Sequence, residues 1–477
     1  MEAYKITLFS FLLMVSFCCC WSTKKIPKIA VIGGGIGGAS TVHFLEELFG
    51  PANVQIDVFE PNNIGGRLAT TTVDGNEFEL GGSVIHPRNS HVNTFMDILG
   101  LKKRYSPHSL FALFDGKKVV FSEDSNWYLL NVLKLIKRYH LGPFYLNRYI
   151  DDMLSKFDRI YALQDDGKHY STVTELLNDM SPDFVEGLQE TAGSGFKRSG
   201  FGDLLVDELI LATLAVNYGQ TLDVHKFVGS VSIAGVVGDL YSVHGGNRRI
   251  PEGLLEKSNA MIIKARVMNI TLEESNAFRV VYSDSNSLNA SLYDIVIIAM
   301  PLAENIESGI EFINFPKKFA FPGKYHQTVC TIVVGNLNYS YFGLGEEVTE
   351  VFSLDDSLFF SSVGKISPVD GLRSKNLPDV WKVFSHEMLT NSQMSTLFSD
   401  RKYIKVKKWL AYPHYSSGLR SDSFVLHPNL YHVNGIEWAA SAMEMSAVGA
   451  KNVALLAYEK WTGLKPKGKP KMTEQEL

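Results

Sequence analysis

Cysteine is nearly absent from this chain. Of 477 residues only 4 are cysteines, and Cys18, Cys19 and Cys20 are consecutive near the start. Without that segment Cys330 stands alone, so no intrachain disulfide can form and stability has to come from a hydrophobic core. Cys330, inside the apolar run 328–335, is expected as a buried strand residue. A strong charge of either sign is missing too: Lys and Arg total 46 against 51 for Asp and Glu, with a formal charge of -5 and no acidic or basic block. Nucleic-acid binding therefore has no electrostatic footprint. Internal repeats and low-complexity tracts are absent, no residue spacing calls for a metal ion, and beyond the first two dozen residues no segment suits a bilayer span of roughly 20 residues.

The first residues are the exception. Lys5 precedes a mainly apolar run from Ile6 to Val15, followed by small and thiol residues. This pattern predicts a signal peptide over 1–22, cleaved because its apolar run is short for a span. In a chain that enters the secretory pathway, the sequons at Asn269, Asn289 and Asn338 become expected glycosylation sites, Asn289 foremost because its surroundings are polar and hairpin-like.

The rest of the chain is long enough for two or three domains. A short β-type run at 28–32, a glycine-rich turn at 33–38, a helical pattern over 39–49 and a second strand at 54–60 make a βαβ unit. Further strands are expected at 261–271, 278–283, 294–299 and 430–433, and one long helix from 438 to about 461. The stretches 127–163 and 174–218 read as helices, and 312–415 as short β runs with a helix near 392–398. The layout predicted is a nucleotide-binding domain in three pieces (27–105, 228–310 and 425–463), interrupted by a substrate domain (106–227 and 311–424) and followed by a polar tail (464–477).

Gly33 to Gly38 satisfy G-x-G-x-x-G directly after a strand and before a helix. Gly33 permits the tight turn, Gly35 lets the backbone approach a pyrophosphate, Gly37 falls in the same turn, and Gly38 lets the helix pack closely. Glu60 ends the second strand, where a carboxylate binds both hydroxyls of an adenosine ribose and disfavours a 2′-phosphate. Gly65-Gly66-Arg67 resembles the GG-R signature of amine-oxidase-like FAD families, which implies that Arg67 contacts the diphosphate or the flavin edge. The same resemblance implies a backbone contact to the adenine at Val267 and a strand-to-helix junction over the flavin at 434–437, including Glu437. No cysteine lies near that junction, so FAD is expected to be noncovalent unless a histidine carries it.

Several stretches resemble the prenylcysteine oxidase family: 81–87 (GGSVIHP), 217–220 (NYGQ), 245–247 (GGN), 409–415 (WLAYPHY) and 434–446 (NGIEWAASAMEMS). The resemblance covers nearly the whole mature chain. It implies a lysosomal FAD-dependent thioether oxidase, with secretion also open to a chain that carries the leader, acting with O2 on farnesylcysteine or geranylgeranylcysteine. It implies an α/β (α+β overall) fold, with a discontinuous Rossmann-like FAD-binding domain, an inserted mixed α/β substrate domain and amine-oxidase-like architecture. Peripheral contact with lipid or lipoprotein is an expectation of the same kind. His86, after Gly82, and His414 are the candidate catalytic residues. Trp127, Tyr128, Leu129, Val132, Leu133, Ile136, Tyr139, Phe144 and Tyr145 are candidates for the prenyl chain. Tyr218, Tyr412 and Tyr415 are candidates for the cysteine end. Two alternatives stay open: a flavin amine oxidase on another apolar substrate, and a lipid-binding protein that keeps FAD without turnover.

Overall fold

The computed structural model describes residues 25–106, 109–123, 128–284, 287–306, 309–371, 378–418 and 423–466. The expected signal peptide, Trp127 and most of the expected tail lie outside them.

The βαβ unit forms where the sequence predicts it. Strand β1 (Lys28–Ile32) leads into helix α1 (Ile36–Phe49) and strand β2 (Gln55–Phe59). They join β3 (Met261–Ile263), β4 (Ile295–Ile298), β5 (Val425–His427) and β6 (Leu430–His432) in one sheet of order β5-β6-β4-β1-β2-β3. Every pairing is parallel except the β5–β6 hairpin at the edge. All of β4 is fully buried, as expected of a β-branched run covered on both faces.

A second sheet has seven strands, running in order Phe398–Pro413, Tyr325–Leu337, Val380–Ser385, Ser362–Lys365, Glu350–Ser353, Phe111–Phe114 and Val119–Ser122. Two of these correct the expectation of short β runs, since Tyr325–Leu337 has 13 residues and Phe398–Pro413 has 16. Most of Phe398–Pro413 is solvent-exposed, so its side chains carry little of the polar–apolar alternation that marks a half-buried strand. Cys330 is buried in Tyr325–Leu337, and burial pushes its thiol up to about 11. Helices between Tyr128 and Ala234 flank this sheet, and a four-stranded sheet built on Arg266–Leu272 lies beside β3 and β4 in a shared apolar cluster.

Two further expectations are corrected. The predicted strand 261–271 divides, because β3 joins the nucleotide sheet whereas Arg266–Leu272 enters the four-stranded one. The predicted helix from 438 also breaks: Val433–Trp438 is a 3-10 turn, Ala442 is extended, and helix α2 covers Met443–Thr462. A continuous helix would bond the Ser441 N–H to the Glu437 carbonyl. Instead the Tyr415 hydroxyl stands between them, donating to Glu437 O at 3.0 Å and accepting from Ser441 N–H at 2.9 Å.

Candidate cofactor and substrate site

A cavity of about 620 Å³ runs from the carboxyl ends of β1, β2 and β4 to the seven-stranded sheet and the helices. Its nucleotide end is shaped by backbone. Gly33 has φ +116°, and a Cβ there would lie 2.6 Å from Ala299 O; at Gly38 it would lie 1.9 Å from Gly33 O. Neither position tolerates another residue. Gly35 is different: it caps the start of α1 and a Cβ would meet nothing closer than 3.8 Å. Open space therefore adjoins the free N–H groups of the helix start, which suits an anion. Gly66, with φ +58°, packs against Gly35 from the next turn, and Gly37 lines the same end. The Glu60 carboxylate accepts from the N–H groups of Gly34 and Asn62, each at 2.9 Å, and lines the cavity. Its orientation is set before any ligand arrives.

The middle of the cavity is held by side chains from distant segments. The Arg67 guanidinium grips Glu437 through both terminal nitrogens and donates to Ala411 O at 2.6 Å. Glu437 is fully buried and also accepts from Tyr325 at 2.9 Å and Asn434 at 2.6 Å. Burial opposes the charge on Arg67, but Glu437 more than offsets this and raises its pKa above the ordinary arginine value. Tyr218 and Tyr412 line the cavity as an edge-to-face pair, ring centroids 5.0 Å apart.

At the far end, His86 is half-buried and its Nδ1 accepts from the Arg88 N–H at 3.1 Å. Burial, reinforced by Arg88, lowers its pKa. The imidazole is therefore neutral at neutral pH, with the proton assigned to Nε2 by this hydrogen bond. Glu444, in the first turn of α2, accepts from the N–H groups of His91 and Val92 at 2.8 and 3.0 Å. Burial outweighs these bonds and pushes its carboxyl up to about 7. Met153, Leu154, Phe157, Val216 and Val231 form an apolar wall.

Comparison with known proteins covers most of the chain. The family model described as prenylcysteine lyase matches residues 122–467, and that of an NAD(P)-binding Rossmann-like domain matches 31–99. Human prenylcysteine oxidase 1 is 40% identical over 458 residues, covering 91% of this chain and 90% of the relative. The chain belongs to the prenylcysteine lyase family. Its mouse relative of the same description is 38% identical over 457 residues with the same coverage, and human prenylcysteine oxidase 1-like is 36% identical over 449. Among solved structures, cyclohexylamine oxidase from Brevibacterium oxydans superposes with TM-score 0.58 at 15% identity, covering 91% of this chain and 99% of that one. A triple mutant of putrescine oxidase gives 0.57 at 15%, covering 90% and 98%. Likeness at that identity establishes the fold alone.

In this prenylcysteine lyase family member the cradle fits the ADP half of FAD: open backbone N–H groups at Gly35, a ribose-ready Glu60, and Gly82 and Arg67 further along the same wall. The helix start that opens on the cavity is that of α2 at Met443, not one at Trp438. Glu437 is occupied by Arg67, Tyr325 and Asn434 rather than by dipole chemistry at a helix start.

Some expected residues stand elsewhere. His414 is exposed and stacks on His326, outside the cavity lining, just past the end of the strand Phe398–Pro413. Tyr415 lies behind the wall, its hydroxyl consumed by the 437–441 turn. The Val267 side chain is buried in the apolar core, which leaves the backbone contact to adenine implied by the resemblance as the one it could make. Leu129, Leu133, Phe144 and Tyr145 are more than half exposed. Tyr139 is buried and donates to Glu208, and Tyr128 opens the helix Tyr128–Tyr139. Helical spacing identifies an apolar face but not which neighbour it meets. Three lining residues fall in stretches noted in the sequence without being singled out there: Thr328, Trp409 and Asn434 carry buried polar atoms (Oγ1, Nε1, Oδ1) with no hydrogen-bond partner among the described residues. An isolated Thr or Trp in a strand gives no signal of that kind.

Proposed function

We propose that the protein is an FAD-dependent oxidase that cleaves the thioether of farnesylcysteine or geranylgeranylcysteine with O2 and water. The products are the isoprenoid aldehyde, free cysteine and hydrogen peroxide. One observation carries this: a single cavity joins a dinucleotide cradle to a long apolar wall, in a chain that matches prenylcysteine oxidases along 91% of its length. FAD held by the turn at 33–38, Glu60 and Arg67 would supply a two-electron acceptor for hydride from the allylic C1 beside sulfur, with O2 as the final oxidant.

The protein's own work is positioning and proton traffic. Met153, Leu154, Phe157, Val216 and Val231 hold the prenyl chain and exclude water from it. Tyr218 and Tyr412 narrow the middle of the cavity, and the Arg67–Glu437 pair keeps a fixed charge distribution along the wall. Loss of hydride leaves a cation spread over sulfur and alkene, so no strong base is required. Water adds at C1, and as the hemithioacetal collapses a proton released from the added water passes to the departing sulfur. His86, neutral and carrying its proton on Nε2, is the hydrogen-bond donor best suited to steady that sulfur.

The wider setting belongs to the same proposal. The leader directs the chain into the secretory pathway and the lysosome, peripheral contact with lipid accompanies it there, and glycosylation falls first at Asn289, on the edge strand Leu288–Tyr293. The Tyr218–Tyr412 pair also suits an amine held between aromatic rings, which keeps an amine oxidase as the second reading. Purified protein mixed with farnesylcysteine and with a panel of amines separates the two. Flavin bleaching without O2 and peroxide release with O2 are expected for the thioether. Bleaching by an amine alone would overturn the proposal, and bleaching by neither would favour a silent binding protein.

A further inference from the structure

The helices that the sequence nominates for the prenyl chain turn much of their apolar surface outward. Leu129, Leu130, Leu133, Leu141, Phe144 and Tyr145 are between 47% and 65% exposed. They occupy two consecutive helices, Tyr128–Tyr139 and Gly142–Phe157, and the turn between them. Soluble monomers seldom concentrate large apolar side chains in this way without a partner.

Charge indicates which partner. From Tyr128 to Ile150 there is no Asp or Glu, whereas Lys134, Lys137, Arg138 and Arg148 fall within it. Arg138 is neutralised by Glu208 and Lys134 donates to Ser122 O. Lys137 and Arg148 are exposed, and no carboxylate pairs with either among the described residues. Exposed leucines and aromatics beside unpaired basic groups match an anionic lipid surface, into which such a face sinks by several ångström. No helix among the described residues is long and apolar enough to cross a membrane, so the contact is interfacial.

The same element reaches the site. Met153, Leu154 and Phe157, in the second half of Gly142–Phe157, line the cavity. One helix thus links the exposed apolar turn to the wall that faces the substrate. We infer that the Tyr128–Tyr145 hairpin docks the protein on anionic lipid surfaces, with Leu133, Leu141, Phe144 and Tyr145 entering the interface and Lys137 and Arg148 meeting the headgroups. Docking there delivers an apolar substrate from lipid to the cavity; that consequence rests on the thioether reading, whereas the docking does not.

The test is flotation of the holoprotein with phosphatidylcholine vesicles, with and without phosphatidylserine. Wild type is expected to float with the anionic vesicles and much less with neutral ones. Leu133→Asp/Phe144→Asp should abolish flotation, and Lys137→Glu/Arg148→Glu should weaken it at least roughly tenfold. Both variants should keep the wild-type flavin spectrum and melting temperature, since the altered side chains are exposed. Failure of wild type to float, or equal flotation of the Asp variant, overturns the inference. A dimer in size-exclusion chromatography that the Asp variant converts to monomer, with no vesicle binding by wild type, would overturn it in favour of a second copy of the chain. Because flotation reads no turnover, its outcome is independent of which substrate the flavin oxidises.

Discussion

The two ends of the cavity are built by different means. The nucleotide end is local: Gly33 to Gly38 and Glu60 lie within one βαβ unit, and most of what they offer is backbone. The reacting end is collected from distant stretches, with Arg67, His86, Tyr218, Thr328, Tyr412, Glu437 and Glu444 on seven separate segments. Backbone geometry leaves a mark in sequence because only glycine satisfies it. A side-chain assembly leaves no such mark of its own: a resemblance can nominate Arg67, His86, Tyr218, Tyr412 and Glu437, but only folding brings them to one cavity. The contrast predicts that damage at the first end removes the cofactor, while damage at the second separates stability from turnover.

The largest effect is expected at the cradle. Gly38→Val places a branched side chain where even a Cβ would lie 1.9 Å from Gly33 O. The purified variant should lack flavin absorbance or fail to accumulate as folded protein; a yellow, active variant would show that α1 can shift away from β1. Next comes Glu437→Gln, which leaves the Arg67 charge uncompensated in a buried setting. Although about a third of the Arg67 side chain is accessible, it faces the cavity, and Glu437 is fully buried. Urea unfolding should show a loss of about 3 kcal/mol, the low end for breaking a buried pair.

His86→Ala sharpens the comparison in the other direction. Flavin content and melting temperature should hold, while turnover falls at least roughly tenfold, as for loss of a positioned hydrogen-bonding group at a proton transfer. His414→Ala, outside the lining, should leave turnover unchanged. Equal losses in the two variants would assign His86 a structural role.

The smallest effect is a pH dependence at Glu444. Its carboxyl is raised by burial from 4.5 to about 7 in the folded protein, so the native state binds the proton more tightly than the unfolded chain. The sign follows: this group favours folding fully below about 4.5, and its contribution is lost as pH rises toward about 7. Melting temperatures of wild type and Glu444→Gln compared across that window should show wild type declining relative to the variant. A constant difference would mean that the His91 and Val92 N–H groups hold Glu444 ionised throughout.

By itself the sequence determined the dinucleotide cradle, the FAD preference drawn from its resemblances, and the buried parallel strands. Each depends on residue types that a local backbone conformation demands, or on apolar runs that must be covered on both faces. Only the tertiary structure decided the rest. It turned Leu129, Leu133, Phe144 and Tyr145 outward and gave the cavity wall to Met153, Leu154 and Phe157. It moved the start of the predicted helix from Trp438 to Met443, where the hydroxyl of Tyr415, 22 residues before Glu437, bridges Glu437 and Ser441. The physical reason is common to these cases: an amphipathic pattern states that a face is apolar, but what covers that face, and which backbone bonds a distant side chain takes over, is settled by packing.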